Sequence, residues 1–120
     1  MLLLGDFNIA PTDDDVFDAD VTKDEILCSD KERDMLSKLL ALGFHDLFYD
    51  YDFPSQTFTW WDYRGGAFHR DIGYRIDLLL ASKTSHIGLK SYEVHRDTRH
   101  KSWCQEQPKT SDHAPVMIEI

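Results

Sequence analysis

Cysteine is almost absent from these 120 residues: Cys28 and Cys104 are the only two, and they form no Cys-x-x-Cys pair. That excludes a disulfide framework and a thiolate zinc site, and it favours a reducing, cytoplasmic compartment. Long hydrophobic runs are missing as well. Runs such as Met1 to Leu4 and Leu78 to Ala81 reach only four residues, far below the roughly 20 residues needed to span a bilayer, and no signal-peptide pattern is present. No membrane partner is expected. Bases are scarce, 13 Lys and Arg against 22 Asp and Glu for a net charge of −9. On average this argues against a nucleic-acid partner, because phosphate contacts need Lys and Arg. There is neither a Ser-centred nucleophile elbow nor a glycine-rich phosphate loop, so acyl transfer and nucleoside triphosphate hydrolysis are poor explanations.

What is present suffices for one domain. The length, with 42% hydrophobic and 12% aromatic residues, supports one packed core. The charge is unevenly spread: residues 1–34 carry eleven acids and three bases, whereas residues 64–109 carry nine bases and five acids, with His69, His86, His95 and His100 interspersed. The second stretch has the sign to face an anion, although solvated loops account for the same charges. Residues 12–25 are dense in aspartate and weakly periodic, which predicts an exposed loop. Their spacing does not match a calcium-binding loop, which needs a glycine sixth and a glutamate twelfth.

Ser29 followed by Glu32 forms a capping box, and Met35, Leu36, Leu39, Leu40 and Leu42 recur at helical spacing up to Gly43, so one amphipathic helix is predicted over about 30–42. Strands are predicted over Met1 to Leu4, which reads as buried, over 57–61 and 74–82, and less strongly over 89–95 and 115–120. The pattern is α/β with more strand than helix, in one unit without internal repeats.

Chemistry-bearing residues sit at the ends of these strands. Gly5-Asp6-Phe7-Asn8 follows the first apolar run. On an extended backbone Asp6 and Asn8 point to one side and share a pocket; the same four residues equally suit a local turn. Asp77 interrupts the apolar run Ile76 to Leu80, where an unpaired buried charge is costly. His113, beside Asp112 in Ser-Asp-His-Ala-Pro, is a candidate partner whose tautomer Asp77 would fix; a backbone amide or Arg75 would satisfy Asp77 as well. Asp6, Asn8, Asp77, Asp112 and His113 together suit phosphodiester hydrolysis. Carboxylates hold a hard cation and take a proton from water, while His and Asn donate to the charge developing on phosphorus.

Four ordered segments then resemble the exonuclease III family of bacterial abasic-site endonucleases: Gly5 to Pro11, Phe58 to Arg64, Gly73 to Ser82 and Ser111 to Val116. The resemblance implies the endonuclease/exonuclease/phosphatase fold, an α/β sandwich of four layers whose mixed, mostly antiparallel sheets are flanked by helices. It implies that Asp6 aligns or deprotonates the attacking water, Asn8 contacts the scissile phosphate, His113 binds the phosphate oriented by Asp77, and Asp112 helps to hold magnesium, with manganese an alternative. Trp60, Tyr74 and Ile76 match positions of an apolar pocket for a base-free sugar, and Arg75, with Arg64 and Arg70, is a candidate for DNA phosphates. The implied partner is double-stranded DNA with abasic sites or 3′ ends.

The resemblance covers the C-terminal half of the family pattern. The early strand-end Asn, the Glu metal ligand and the Tyr near the phosphate have no counterpart in this chain. Residues 1–120 are therefore expected to form a single half-domain, half of the sandwich, whose exposed apolar face is covered by the missing N-terminal half or drives self-association. The isolated half is expected to be weakly active or inactive. Two further readings stay open: a non-catalytic module that assembles with a separate N-terminal half, and a phosphoesterase acting on inositol phosphates or phospholipids.

Overall fold

The computed structural model describes residues 1–83, 88–103 and 109–120; His86 and Cys104 lie outside the described residues. In chain order the elements are β1 (Leu2–Asp6), α1 (Ala19–Thr22), α2 (Asp30–Ala41), β2 (Phe44–Asp46), β3 (Trp60–Trp61), β4 (Gly73–Tyr74), β5 (Asp77–Ser82), β6 (Ser91–Val94) and β7 (Val116–Glu119), with short 3-10 turns between them. Among the described residues they make three antiparallel sheets: β1-β5-β2, β3-β4 and β6-β7.

β5 is the central strand, and its consecutive leucines follow from burial on both faces. Leu78 and Leu80 pack with Leu36 of α2, while Leu79 and Ala81 on the other face join Leu47, Phe48 and Tyr92, as the two-residue period of a strand requires. The capping box starts α2 as predicted: Ser29 Oγ accepts from the Glu32 amide at 3.3 Å, and the Glu32 carboxylate accepts from the Ser29 amide at 3.0 Å. The leucine stripe is narrower than its spacing implies, since Met35 and Leu42 face solvent.

Three expectations are corrected. Met1 to Leu4 does not form a buried strand: β1 lies at a sheet edge and Leu4 is 55% exposed. The strand predicted over 74–82 is broken. Gly73 and Tyr74 pair with β3, Arg75 and Ile76 turn into the core, and β5 begins at Asp77 in another sheet. The break is held by Thr59, fully buried, whose Oγ1 accepts from the amides of Ile76 at 3.1 Å and Asp77 at 3.2 Å. Finally, the acidic stretch is not wholly a solvated loop. Asp15 is buried, with its carboxylate 2.6 Å from Nε of Arg75.

At Gly73 any side chain is excluded by close approach. A Cβ there would lie 2.5 Å from Nε1 of the fully buried Trp61 and 2.7 Å from the Phe58 ring, so the β3-β4 contact depends on glycine. Core packing is the role of Trp61.

Candidate active site

The end of β1 faces the start of β5 with Asp6 directly opposite Asp77. Like charges in that position repel, and an imidazole lies between them. Nδ1 of His113 is 2.9 Å from Oδ2 and 3.1 Å from Oδ1 of Asp77, while Nε2 is 3.8 Å from Oδ2 of Asp6. A carboxylate only accepts, so Nδ1 carries the proton that Asp77 holds. Nε2 is thereby turned toward Asp6 across a gap too long for a hydrogen bond.

Backbone pairing with β3 sets this arrangement. The Trp61 amide donates to the Asp112 carbonyl at 3.1 Å and the Ala114 amide to the Thr59 carbonyl at 2.7 Å, which fixes His113 on both sides. Thr59 also anchors the Asp77 amide, so this one buried hydroxyl residue is bonded to both the His113 and the Asp77 segments. Thr59 carried no chemical signal in the sequence beyond its place in a β-branched and aromatic run. Asp112 is fixed by Trp60, whose indole Nε1 donates to Oδ2 at 3.0 Å.

Asn8 departs from the extended geometry that would align it with Asp6. Its φ is 53°, a left-handed conformation that asparagine tolerates, and its amide donates to Oδ1 of Asp6 at 2.8 Å. Gly5 and Asp6 thus close β1 and the chain bends at Asn8, so the strand end and the bend carry Asp6 and Asn8 beside His113.

The model of the Endonuclease/Exonuclease/phosphatase family matches residues 1–113. This chain belongs to that family. Its relatives include the exodeoxyribonuclease of Bacillus subtilis, 30% identical over all of this chain and 44% of the relative, and exodeoxyribonuclease III of Haemophilus influenzae, 31% identical over all of this chain and 45% of the relative. Among solved structures, the 3′ phosphatase NExo from Neisseria, bound to product DNA hairpin, superposes with a TM-score of 0.85 at 39% identity, over 98% of this chain and 44% of that one. An AP endonuclease from Archaeoglobus fulgidus superposes with a TM-score of 0.81 at 27% identity, again over 98% and 44%. This family member thus resembles the exonuclease III and AP endonuclease branch, and it spans less than half the length of the relatives it matches.

Around the site of this family member, Trp60 and Tyr74 pair across β3-β4 with ring centroids 5.6 Å apart and line a cavity of about 560 Å³ together with Phe17, Ile72, Arg64 and Arg70. Burial pushes the Tyr74 hydroxyl above its ordinary range. Arg64 is tied to Asp62 at 2.7 Å and its hydrogen bonds hold that carboxyl down to about 2. Two expected contacts are corrected. Ile76 is 2% exposed, packed with Ala10, Val16 and Cys28 beneath the two aromatics rather than on the wall they present. Arg75 is fully buried and cannot reach DNA. Its guanidinium meets Asp15 at 2.6 Å and Asp46 at 2.7 Å and stacks 4.1 Å from the Phe48 ring centre. Burial alone would lower its pKa, but the two carboxylates outweigh burial and raise it. Neither aspartate was singled out in the sequence, where Asp15 sits in the stretch read as an exposed loop.

Magnesium takes oxygen ligands in near-octahedral geometry, with one or two carboxylates and several waters. Among the described residues no three of His, Cys, Asp and Glu converge as ligands, and one oxygen of Asp112 is occupied by Trp60. The described residues do not assemble a metal site on their own.

Proposed function

We propose that this chain is the C-terminal half-domain of a DNA repair nuclease, a hydrolase that cuts the phosphodiester 5′ to abasic sites and trims duplex DNA from 3′ ends. The observation that carries this reading is His113 held between Asp77 and Asp6 at the meeting of two strand ends. Asp77 keeps the proton on Nδ1, so Nε2 is the ring atom presented to substrate. A protonated ring donates from Nε2 to a phosphoryl oxygen as negative charge grows there. Asp6 takes the proton of the attacking water, and the exposed side-chain carboxamide of Asn8 steadies the same phosphate. Trp60 and Tyr74 offer an apolar surface to an extrahelical sugar, and such a sugar without its base is compact enough to be selected by shape.

Magnesium, with manganese an alternative, is the cofactor we propose. Asp112 supplies one oxygen, and the remaining ligands have to come from the rest of the fold. That rest has an obvious place. β1 is an edge strand with Leu4 55% exposed, and Met117 and Ile120 at β7 are 48% and 58% exposed, which suits docking of a further polypeptide. Without it, the same surface favours self-association, measurable by sedimentation velocity; a monomer at high concentration would contradict this. No described helix is long and apolar enough to cross a membrane, and the scarcity of cysteine favours the cytoplasm.

A second reading, a non-catalytic module that contributes to another chain's site, is favoured by the incomplete ligand set. Two assays separate the readings. A synthetic abasic duplex is offered to the chain with and without a separately expressed N-terminal half, in parallel with inositol phosphates. The nuclease reading expects the assembled protein to cleave DNA, to lose cleavage in EDTA and in Asp6→Asn, and to leave inositol phosphates intact. Cleavage indifferent to Asp6→Asn supports the module, and turnover of inositol phosphates overturns the DNA reading.

A further inference from the structure

Arg99 is 8% exposed, yet among the described residues no carboxylate lies within ion-pair distance of it. Its Nη2 donates to the Trp61 carbonyl at 3.1 Å and reaches the Asp62 carbonyl at 3.5 Å, its Nη1 reaches Thr110 Oγ1 at 3.4 Å, and its buried Nε has no hydrogen-bond partner among the described residues. A buried cation neutralised by neither a carboxylate nor a full set of acceptors is costly, so its field remains available to something else. A second cation stands beside it. The Arg99 guanidinium is 5.0 Å from the centre of the Tyr63 ring and the Lys109 ammonium is 5.1 Å from the same ring. Tyr63 is fixed by its own hydroxyl, which donates to the Thr110 carbonyl at 2.7 Å.

One ring attracts each cation through its π face, but the two cations repel each other, and an anion between or beside them relieves that repulsion. Their place along the chain says which anion. Tyr63 follows Trp60 and Trp61 of β3, and Lys109 and Thr110 lead directly into Asp112 and His113. We propose that Arg99 and Lys109, positioned by Tyr63, form a subsite for a backbone phosphate of the DNA strand next to the scissile bond. Arg99 is the largely desolvated charge and Lys109 the exposed one. They are positioning residues rather than catalytic ones, and the proposal rests on the reading of the chain as a DNA nuclease.

The test follows two sets of NMR signals of the full 120-residue chain as a short duplex containing an abasic analogue is added: the Arg side-chain Nε–H resonances, and the backbone amides of Asp6, Asn8 and His113. The expected result is a saturable shift of Arg99 Nε–H together with those amides. Lys109→Gln, at an exposed position, is expected to weaken binding several-fold and to lower the slope of log affinity against log salt by about one. Tyr63→Leu should weaken binding less, and thermal melting verifies that both variants fold. Shifts at Asp6, Asn8 and His113 with Arg99 unmoved and Lys109→Gln unchanged overturn the subsite and leave the nuclease reading standing. No shift at either place overturns both.

Discussion

Two buried arginines divide this molecule. Arg75 has a carboxylate on each side and a phenyl ring beneath it; Arg99 has carbonyls, a hydroxyl, aromatic rings and an orphaned Nε. Both come from the same base-rich stretch, and only the structure tells them apart. A guanidinium whose charge is cancelled locally ties elements together, here the 13–15 turn, the β2 end and the β4-β5 junction. One with no carboxylate within ion-pair distance among the described residues keeps, on the proposed reading, its field for a ligand.

The comparison breaks first on stability. Arg75→Leu leaves Asp15 and Asp46 buried without a cation, and such a broken pair costs about 3–5 kcal/mol, a large part of a domain's total stability. Urea unfolding should show a much lower midpoint, and a midpoint near that of the wild type would contradict the structural role of Arg75. Thr59→Val strands the amides of Ile76 and Asp77, at about 1–3 kcal/mol, and should also loosen the His113-Asp77 pair. Arg99→Gln removes hydrogen bonds to neutral acceptors only. It should cost about 1 kcal/mol while weakening DNA retention on a phosphate-selective column, the reverse of Arg75→Leu in which property suffers more. The smallest effect concerns pH. Burial raises the Tyr92 hydroxyl above its ordinary value of 10.0, so the fold favours its neutral form. The associated stability is fully present below pH 10 and lost as pH rises from there toward the folded-state value. Alkaline titration of Tyr92→Phe should lack that loss.

Much of the site was legible because its residues break local patterns. Asp77 interrupts an apolar strand, and Ser-Asp-His-Ala-Pro precedes another; the cost of an unpaired acid made His113 a candidate partner for Asp77, beside a backbone amide or Arg75. The helix was legible because capping and periodicity agreed over Ser29 to Gly43. What stayed hidden depended on tertiary distance. Nothing local to Asp15, Asp46 or Arg75 says that they meet, since they are up to 60 residues apart, and Asp15 sits in a stretch with the composition of a solvated loop. β2 is three residues long, too short for a two-residue period to register. The break between Tyr74 and Asp77 was masked by an apolar run that continues through it, and its cause, the Thr59 hydroxyl, lies on another strand.

The central claim is that Asp6, His113 and Asp77 form one hydrolytic row. It is tested most directly by the single-turnover rate of cleavage of an abasic duplex by the assembled protein, wild type against His113→Ala and Asp77→Asn. The account predicts losses of at least about 100-fold for both, the scale of removing a positioned proton donor or its orienting partner, with melting temperatures close to the wild type. Cleavage at the wild-type rate in either folded variant would contradict it.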